Sequence, residues 1–320
     1  MEQTQQTVLV TGASSGIGLA TAKLLAASGY RVFAGVRSEA GQAAIRAAGL
    51  GSLTPVWLDV TDAEQVRRAI VEIEAASPTG LFSLVNNAGV GLPSVVEFTD
   101  IDELRDVLEV NTLAPLRMMQ VCLPLLRKGG GRIVNVSSMN GTIALPMVGG
   151  YSASKFALEA LSNTLRIELR PWKIPVTVIR PGQVRTAIFE KARAALQTRS
   201  QQLPADLEPG YGPLFARCAS LNERGAKRGA SPQKVAGAVL KALRARKPRL
   251  HYLVGADAIW LDIGLDVLPT KLLNRLIARI SGVMKGERAV QIQPLALPGG
   301  SSTRGDADRN GGRPPGGAGG

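Results

Sequence analysis

Histidine is nearly missing: His251 is the single one in 320 residues. That argues against Ser-His-Asp hydrolysis, Cys-His proteolysis and a histidine-ligated zinc, which all need imidazole at the centre of the site. Cysteine is scarce too. Cys122 and Cys218 stand far apart, so they form neither a disulfide framework nor a metal-binding cluster, and no metal is expected. Two isolated thiols suit a reducing, cytoplasmic setting. Aromatic residues make up only 4% of the chain, too few for base-stacking platforms. No apolar run reaches the ~18 residues needed to cross a bilayer, and the polar start, Met1 to Thr7, does not read as a signal peptide. Acidic residues are outnumbered, 25 against 38 Lys and Arg, giving a net charge of +13. The basic residues are scattered with no run of five, so solubility and mild attraction to anions explain them better than nucleic-acid binding does.

What is present is a repeating alternation. Apolar residues are 45% of the chain, enough for a substantial core. Thr7-Val8-Leu9-Val10 reads as a buried strand, followed by a Gly/Ser turn, a helix over 16–28 and a strand over Arg31–Val36. Further strands are expected near 54–58, 82–86, 131–137, 174–179 and 250–254. Helices are expected near 39–48, 62–76, 102–127, 151–170 and 232–246. Strands separated by helices of this length form a parallel sheet, and all-apolar strands imply burial on both faces. The expected fold is α/β, a doubly wound parallel sheet in one domain over residues 1–256. Residues 182–229 break the rhythm and read as a substrate lid with one or two short helices.

Residues 257–285 read as a helical extension, with helices over Asp257–Leu268 and Thr270–Met284 broken at Pro269. The second has an apolar face (Leu272, Leu276, Ile280) and a basic stripe (Lys271, Arg275, Arg279). It is suited to docking on protein, or to peripheral contact with a membrane through residues 270–284. Residues 286–320 are dominated by Gly, Pro and polar groups and read as a disordered tail.

Three segments carry chemistry. After the first strand comes Thr11-Gly12-Ala13-Ser14-Ser15-Gly16-Ile17-Gly18. Small residues there let the backbone approach a pyrophosphate, and the following helix offers free N–H groups and its positive dipole end. The strand–turn–helix context is that of a Rossmann-type dinucleotide site. The second strand ends at Arg37 with no acid at its tip. A guanidinium there can pair with a 2′-phosphate, favouring NADP(H), with NAD(H) as the alternative. Third, Tyr151 and Lys155 lie four residues apart and share one helix face. A free tyrosine titrates near ~10, and a neighbouring ammonium is expected to lower that value so the phenol can trade a proton near neutrality.

Together with Asp59-Val60, Asn86-Asn87-Ala88-Gly89, Asn111, Asn135-Val136-Ser137-Ser138 and Pro181-Gly182-Gln183-Val184-Arg185-Thr186, these segments make the chain resemble the short-chain dehydrogenase/reductase family over residues 6–256. No catalytic position departs from the family pattern. The resemblance implies an NAD(P)-dependent oxidoreductase with Tyr151 as acid-base. It implies that Lys155 holds the nicotinamide ribose, Ser138 bonds the substrate oxygen and Asn111 holds a relay water. Asp59 and Val60 would contact adenine, and Asn87, Ala88 and Gly89 would pack along the adenosine and ribose. Val184 and Thr186, within the stretch from Pro181 and Gly182, would bind the carboxamide. It also implies a dimer or tetramer. A weaker likeness, in Tyr30–Arg37 and the C-terminal extension, is to the retinol and hydroxysteroid dehydrogenase subgroup.

The substrate is expected to be a small apolar alcohol, ketone or aldehyde, because the candidate pocket residues are largely apolar: Met139, Ile143, Leu145, Val148, Gln183, Phe189, Tyr211 and Phe215. The competing readings are a non-catalytic NADP(H)-binding regulator and a non-redox enzyme on the same fold.

Overall fold

In the first strand, β1 (Thr7–Val10), Val8 and Val10 face one layer of core and Leu9 faces the other, all without exposure. The period-two geometry of a strand turns an unbroken apolar run into a two-sided wedge. The computed structural model describes residues 5–282. The chain continues through α1 (Gly16–Ala27), β2 (Arg31–Val36), α2 (Glu39–Arg46), β3 (Leu53–Trp57), α3 (Ala63–Ala76) and β4 (Ser83–Asn86). Then follow α4 (Ile101–Leu108), α5 (Ala114–Lys128), β5 (Arg132–Val136), α6 (Gly149–Glu168) and β6 (Val176–Pro181). The remainder is α7 (Ile188–Gln201), α8 (Glu208–Arg228), α9 (Pro232–Arg244), β7 (His251–Val254), α10 (Ala256–Val267) and α11 (Thr270–Ser281).

The strands form a seven-stranded sheet in the order β3-β2-β1-β4-β5-β6-β7, every pair parallel. α1 and α9 pack on one face with Leu25, Val235 and Val239, and α3 and α5 on the other with Ile73, Met118 and Leu126. This is the doubly wound architecture expected from the alternation. The strand order reverses between β1 and β4, which opens a crevice at the carboxyl ends of the strands.

Two segments differ from expectation. The helix expected over 102–127 is split by a π-helical turn, Glu109–Leu113. Asn111 sits in that turn and bonds sideways across the fold, and Pro115, which has no N–H, falls just inside the start of α5. The lid holds two substantial helices rather than short ones, α7 of 14 residues and α8 of 21. Leu196, Leu214 and Phe215 bury against Val95 and Met147, so this segment shares a small core with the loops before α4 and α6. Of the C-terminal expectations, residues 283–285 and the tail 286–320 lie outside the described residues.

A buried polar chain fixes α6 to the sheet. Asn86 Nδ2 donates to Asn135 Oδ1 at 2.9 Å, and Asn135 Nδ2 donates to Ser162 Oγ at 2.8 Å. Leaving any of these groups unpaired costs about 1–3 kcal/mol, so the chain specifies one register for the helix that carries Tyr151 and Lys155.

Candidate active site

The crevice is a cleft of about 650 Å³ running along the carboxyl ends of β1, β2, β4 and β5. One end is built from glycine. Gly12 adopts φ +63°, and a Cβ there would lie 2.7 Å from Ala88 Cα. At Gly18 a Cβ would meet Gly12 O at 2.2 Å. Side chains are excluded at both positions, and only at glycine can the loop approach the strand this closely. Thr11 ties the loop down: its Oγ1 accepts from Asn87 N at 3.0 Å and Ala88 N at 3.1 Å. Asn87 Nδ2 returns bonds to Thr11 O and Gly12 O, both 3.0 Å. Ser15 precedes α1 without a side-chain cap, and the first turn carries no acid. The helix therefore presents open N–H groups and an uncompensated positive end to the cleft. A cradle of this shape and donor set fits a dinucleotide pyrophosphate.

Ser14, Ser15, Gly16, Ile17, Gly89 and Thr186 line the same cleft, as do Arg37, Asp59 and Val60 at the β2 edge. Arg37 is exposed, with Nη1 3.6 Å from Asp59 Oδ2. Burial pushes the Asp59 carboxyl up, but hydrogen bonds from Thr61 and the charge of Arg37 outweigh it and hold the group below its usual range. Asp59 is thus a fixed anion at neutral pH. Arg37, attached to it by a loose 3.6 Å contact, stays free to face a ligand.

The other end is built from titratable side chains. Tyr151 and Lys155 both line the cleft, and Lys155 Nζ lies 5.9 Å from the Tyr151 ring centroid. Lys155 Nζ donates to Val136 O at 3.1 Å. Burial brings the Lys155 ammonium down to about 8, opposed by Glu159 one turn along α6. The Tyr151 phenol differs from the sequence expectation: it is raised, not lowered. Burial dominates, and the group that pulls it back is Ser138, through a hydrogen bond. Lys155, itself desolvated, does not offset that burial. The Tyr151 phenol is therefore neutral at neutral pH. Ser138 is buried and does not line the cleft, whereas its neighbour Ser137 does; the Ser138 Oγ accepts from Asn140 N at 3.1 Å and is hydrogen-bonded to Tyr151.

Asn111 has no exposed surface. Its Nδ2 donates to Val90 O at 2.9 Å and Ser154 Oγ at 3.0 Å, and its Oδ1 accepts from Val90 N at 2.9 Å. One lone pair of Oδ1 is left, close to Lys155: a Cβ at Gly89 would lie 3.2 Å from Oδ1 and 3.6 Å from Nζ. Pro181, Gly182 and Val184 are not cleft walls. Pro181 ends β6, and Gly182 and Val184 lie in the loop leaving it, with Gly182 N donating to Val254 O at 2.9 Å.

None of the eight residues expected to wall a substrate pocket lines the cleft. Tyr211 Oη donates to Glu97 Oε2 at 2.5 Å, which drives its titration up to about 12, so it is a strut and not an acid-base. Phe215 is buried in the small core shared with Val95 and Met147, and Phe189 packs on Gly225. In their place stand Val90, Leu92, Ile188, Ala192 and Ala195, with Glu103, Lys191 and Arg199 also lining the cleft. Arg199 of α7 donates to Pro93 O and pairs with Glu103 of α4, latching the lid to the body. Helical spacing in 188–199 would have found Ala192, Ala195 and Arg199 on one face. Thr11 was legible as the residue opening the glycine loop.

The short chain dehydrogenase family model matches residues 6–197. The chain belongs to that family. This short chain dehydrogenase is 33% identical over 280 residues to retinol dehydrogenase 5 of Mus musculus, covering 85% of this chain and 88% of that protein. It is 32% identical over 278 residues to 17-beta-hydroxysteroid dehydrogenase type 6 of Homo sapiens, covering 85% and 87%. A crystal structure of a short chain dehydrogenase from Burkholderia cenocepacia J2315 in complex with NADP superposes with a TM-score of 0.66 at 28% identity, covering 86% of this chain and 99% of that one. The chain is an NAD(P)-dependent oxidoreductase related to the retinol and hydroxysteroid dehydrogenases. Enzymes of this family act on small alcohols and carbonyl compounds.

Proposed function

We propose that the protein is an NADP(H)-preferring dehydrogenase/reductase of small apolar alcohols, ketones or aldehydes, with Tyr151 as the proton donor and acceptor. The observation that carries this reading is the meeting of two unlike sets of residues in one cleft: the glycine cradle of Gly12–Gly18 and the Tyr151–Lys155 pair. When bound, the nicotinamide supplies or accepts the hydride; the protein supplies position and the proton.

During reduction, negative charge grows on the substrate oxygen. Tyr151, held protonated by burial, donates to that oxygen, and Ser138 offers a second hydrogen bond. Lys155 would hold the ribose hydroxyls and lend positive charge. The free lone pair of Asn111 Oδ1 takes a water next to Lys155 Nζ, completing a path for the proton. In oxidation Tyr151 must first lose its proton, so that direction is favoured by alkaline pH. At the far end, Ser14, Ser15 and the α1 N-terminus would bind phosphate, Asp59 and Val60 would border the adenine, and Asn87–Gly89 would pack along the adenosine. Thr186, which lines the cleft, would hold the carboxamide.

The preference for NADP(H) is supported by Arg37 standing exposed at the tip of β2 and by the NADP in the Burkholderia structure. The apolar substrate is supported by Leu92, Ile188, Ala192 and Ala195 in the cleft. The deciding experiment follows NADPH and NADH consumption across a panel of apolar ketones and aldehydes with wild type and Tyr151→Phe. We expect wild type to turn over with NADPH, and Tyr151→Phe to bind NADPH normally but lose at least about a thousandfold in kcat. Wild-type turnover in the variant overturns the acid-base assignment.

Two partner readings accompany the function. Leu113, Phe156 and Ile167 are exposed on the π-turn and α6, a surface suited to a second copy; sedimentation of a monomer would refute it. α11 docks Leu273 inward, and its Ile280 O accepts from Arg217 of α8 at 2.9 Å. Leu272, Leu276 and Ile280 stay exposed beside Lys271, Arg275 and Arg279, a surface suited to anionic bilayers. Absence of flotation with anionic vesicles would remove that contact.

A further inference from the structure

The loop that carries Val184 and Thr186 is gripped from outside the region in which the sequence shows family motifs. α10 begins at Ala256, after Gly255 turns the chain out of β7 with φ +111°. In its first turn, the Asp257 carboxylate accepts from Gln183 N through Oδ2 at 2.7 Å. The carboxylate sits where two glycines leave room. A Cβ at Gly182 would lie 2.1 Å from Asp257 Oδ1, and one at Gly255 would lie 2.4 Å from it. Any side chain at either position would expel the acid.

Gln183 is the junction of the loop. Its O accepts from Ala230 N at 2.8 Å, and its side-chain Nε2 donates to Leu221 O of the lid at 3.2 Å. Arg185 N closes the return bond to Ala230 O at 3.0 Å. Three residues past Gln183, Thr186 enters the cleft, where the Cβ position of Gly16 lies 3.1 Å from its methyl carbon. One and a half turns further along α10, Asp262 Oδ1 lies 3.7 Å from Arg180 Nη1. Arg180 in turn forks onto the buried Glu159 of α6 at 2.9 and 3.0 Å. α10 therefore holds the residues on both sides of Pro181-Gly182.

We infer that Asp257 is a positioning residue for cofactor binding: by accepting the Gln183 N–H it fixes the 182–186 loop, and with it the end of the cleft that receives the nicotinamide carboxamide. It touches neither cofactor nor substrate. The inference rests on the cofactor reading above and extends the working site into the C-terminal extension. Losing the bond leaves a backbone N–H without its charged acceptor and frees the loop in ground state and transition state alike. Weakened binding of that uniform kind raises KM and spares kcat.

The test uses the full chain with Asp257→Ala and Asp257→Asn. NADPH is titrated by fluorescence, kinetics are run with varied NADPH, and melting is recorded. For Asp257→Ala we expect NADPH Kd and KM to rise about five- to tenfold with kcat within about twofold of wild type. Asp257→Asn restores both, because its amide oxygen still accepts from Gln183 N. An unchanged NADPH KM in Asp257→Ala, or a fall in Tm and kcat with KM untouched, overturns the inference and leaves the cofactor reading standing. Failure of Asn to rescue, with KM raised as in Ala, also overturns it, since the charge and not the loop bond would then be at work. Wild type that binds neither NADPH nor NADH overturns both.

Discussion

The two ends of the cleft are made of different materials. The end proposed to take the phosphates is backbone: Gly12, Gly16 and Gly18 leave space, α1 presents N–H groups, and Thr11 and Asn87 pin the loop from behind. The other end, proposed to hold the reacting groups, is side chain: Tyr151 and Lys155 are shifted in their titration by burial, and Ser138 is hydrogen-bonded to Tyr151. A phosphate keeps its charge throughout a reaction, so fixed dipoles serve it well and nothing needs to titrate. A carbonyl oxygen changes its charge, so the groups facing it must be able to give and take a proton. The stability cost sits at the second end, where an ammonium and a phenol are desolvated.

That contrast can be broken by substitution. Ser138→Ala removes a donor at the reacting end and the one group that pulls the Tyr151 titration down. A loss of about a hundredfold in kcat for reduction is expected. The sign of the pH effect is set as follows: oxidation needs the phenolate, its rate rises with pH, and loss of the hydrogen bond raises Tyr151 further, so the alkaline limb of the oxidation profile moves to higher pH. A limb that stays in place would show that Ser138 does not couple to Tyr151.

Gly18→Ala attacks the other end. A Cβ 2.2 Å from Gly12 O and 2.5 Å from Asn87 Nδ2 forces backbone to move. We expect NADPH affinity to fall more than about tenfold and stability to drop by about 1–3 kcal/mol, read by titration and by denaturant unfolding. Equal affinity would mean that the glycine cradle is not the phosphate site. The smallest effect is Arg37→Ala, which should weaken NADPH about tenfold and leave NADH within about twofold. Equal changes for both cofactors would contradict a 2′-phosphate contact.

The glycine end was readable in the sequence because its signal is local: eight consecutive residues between one strand and one helix. The sheet was readable for the same reason, since all-apolar runs alternating with helical spacing admit few topologies. Tyr151 and Lys155 were legible as a pair, but the direction of the tyrosine shift was not. It depends on how much protein surrounds the phenol, and spacing along a helix does not report that. Of the residues expected to wall a substrate pocket, Tyr211 and Phe215 pack with Leu196 and Val95 and Phe189 lies against Gly225, because side-chain size does not report which neighbour a residue packs on. The break at Asn111 was invisible because every residue from 101 to 128 is acceptable in a helix except Pro115 and Pro124, and neither marks a π-turn.

The five-residue turn at Glu109–Leu113 separates the phases of the helices on either side of it. A continuous helix would bind the face of α4 that borders the cleft to the face of α5 that fills the core, so changing one would rotate the other. With the extra residue taken up between them, α4 can be retuned at the mouth, where Glu103 receives the lid, while Met118 and Leu126 of α5 hold their places under the sheet. Side chains at the entrance can thus change without disturbing the foundation beneath them.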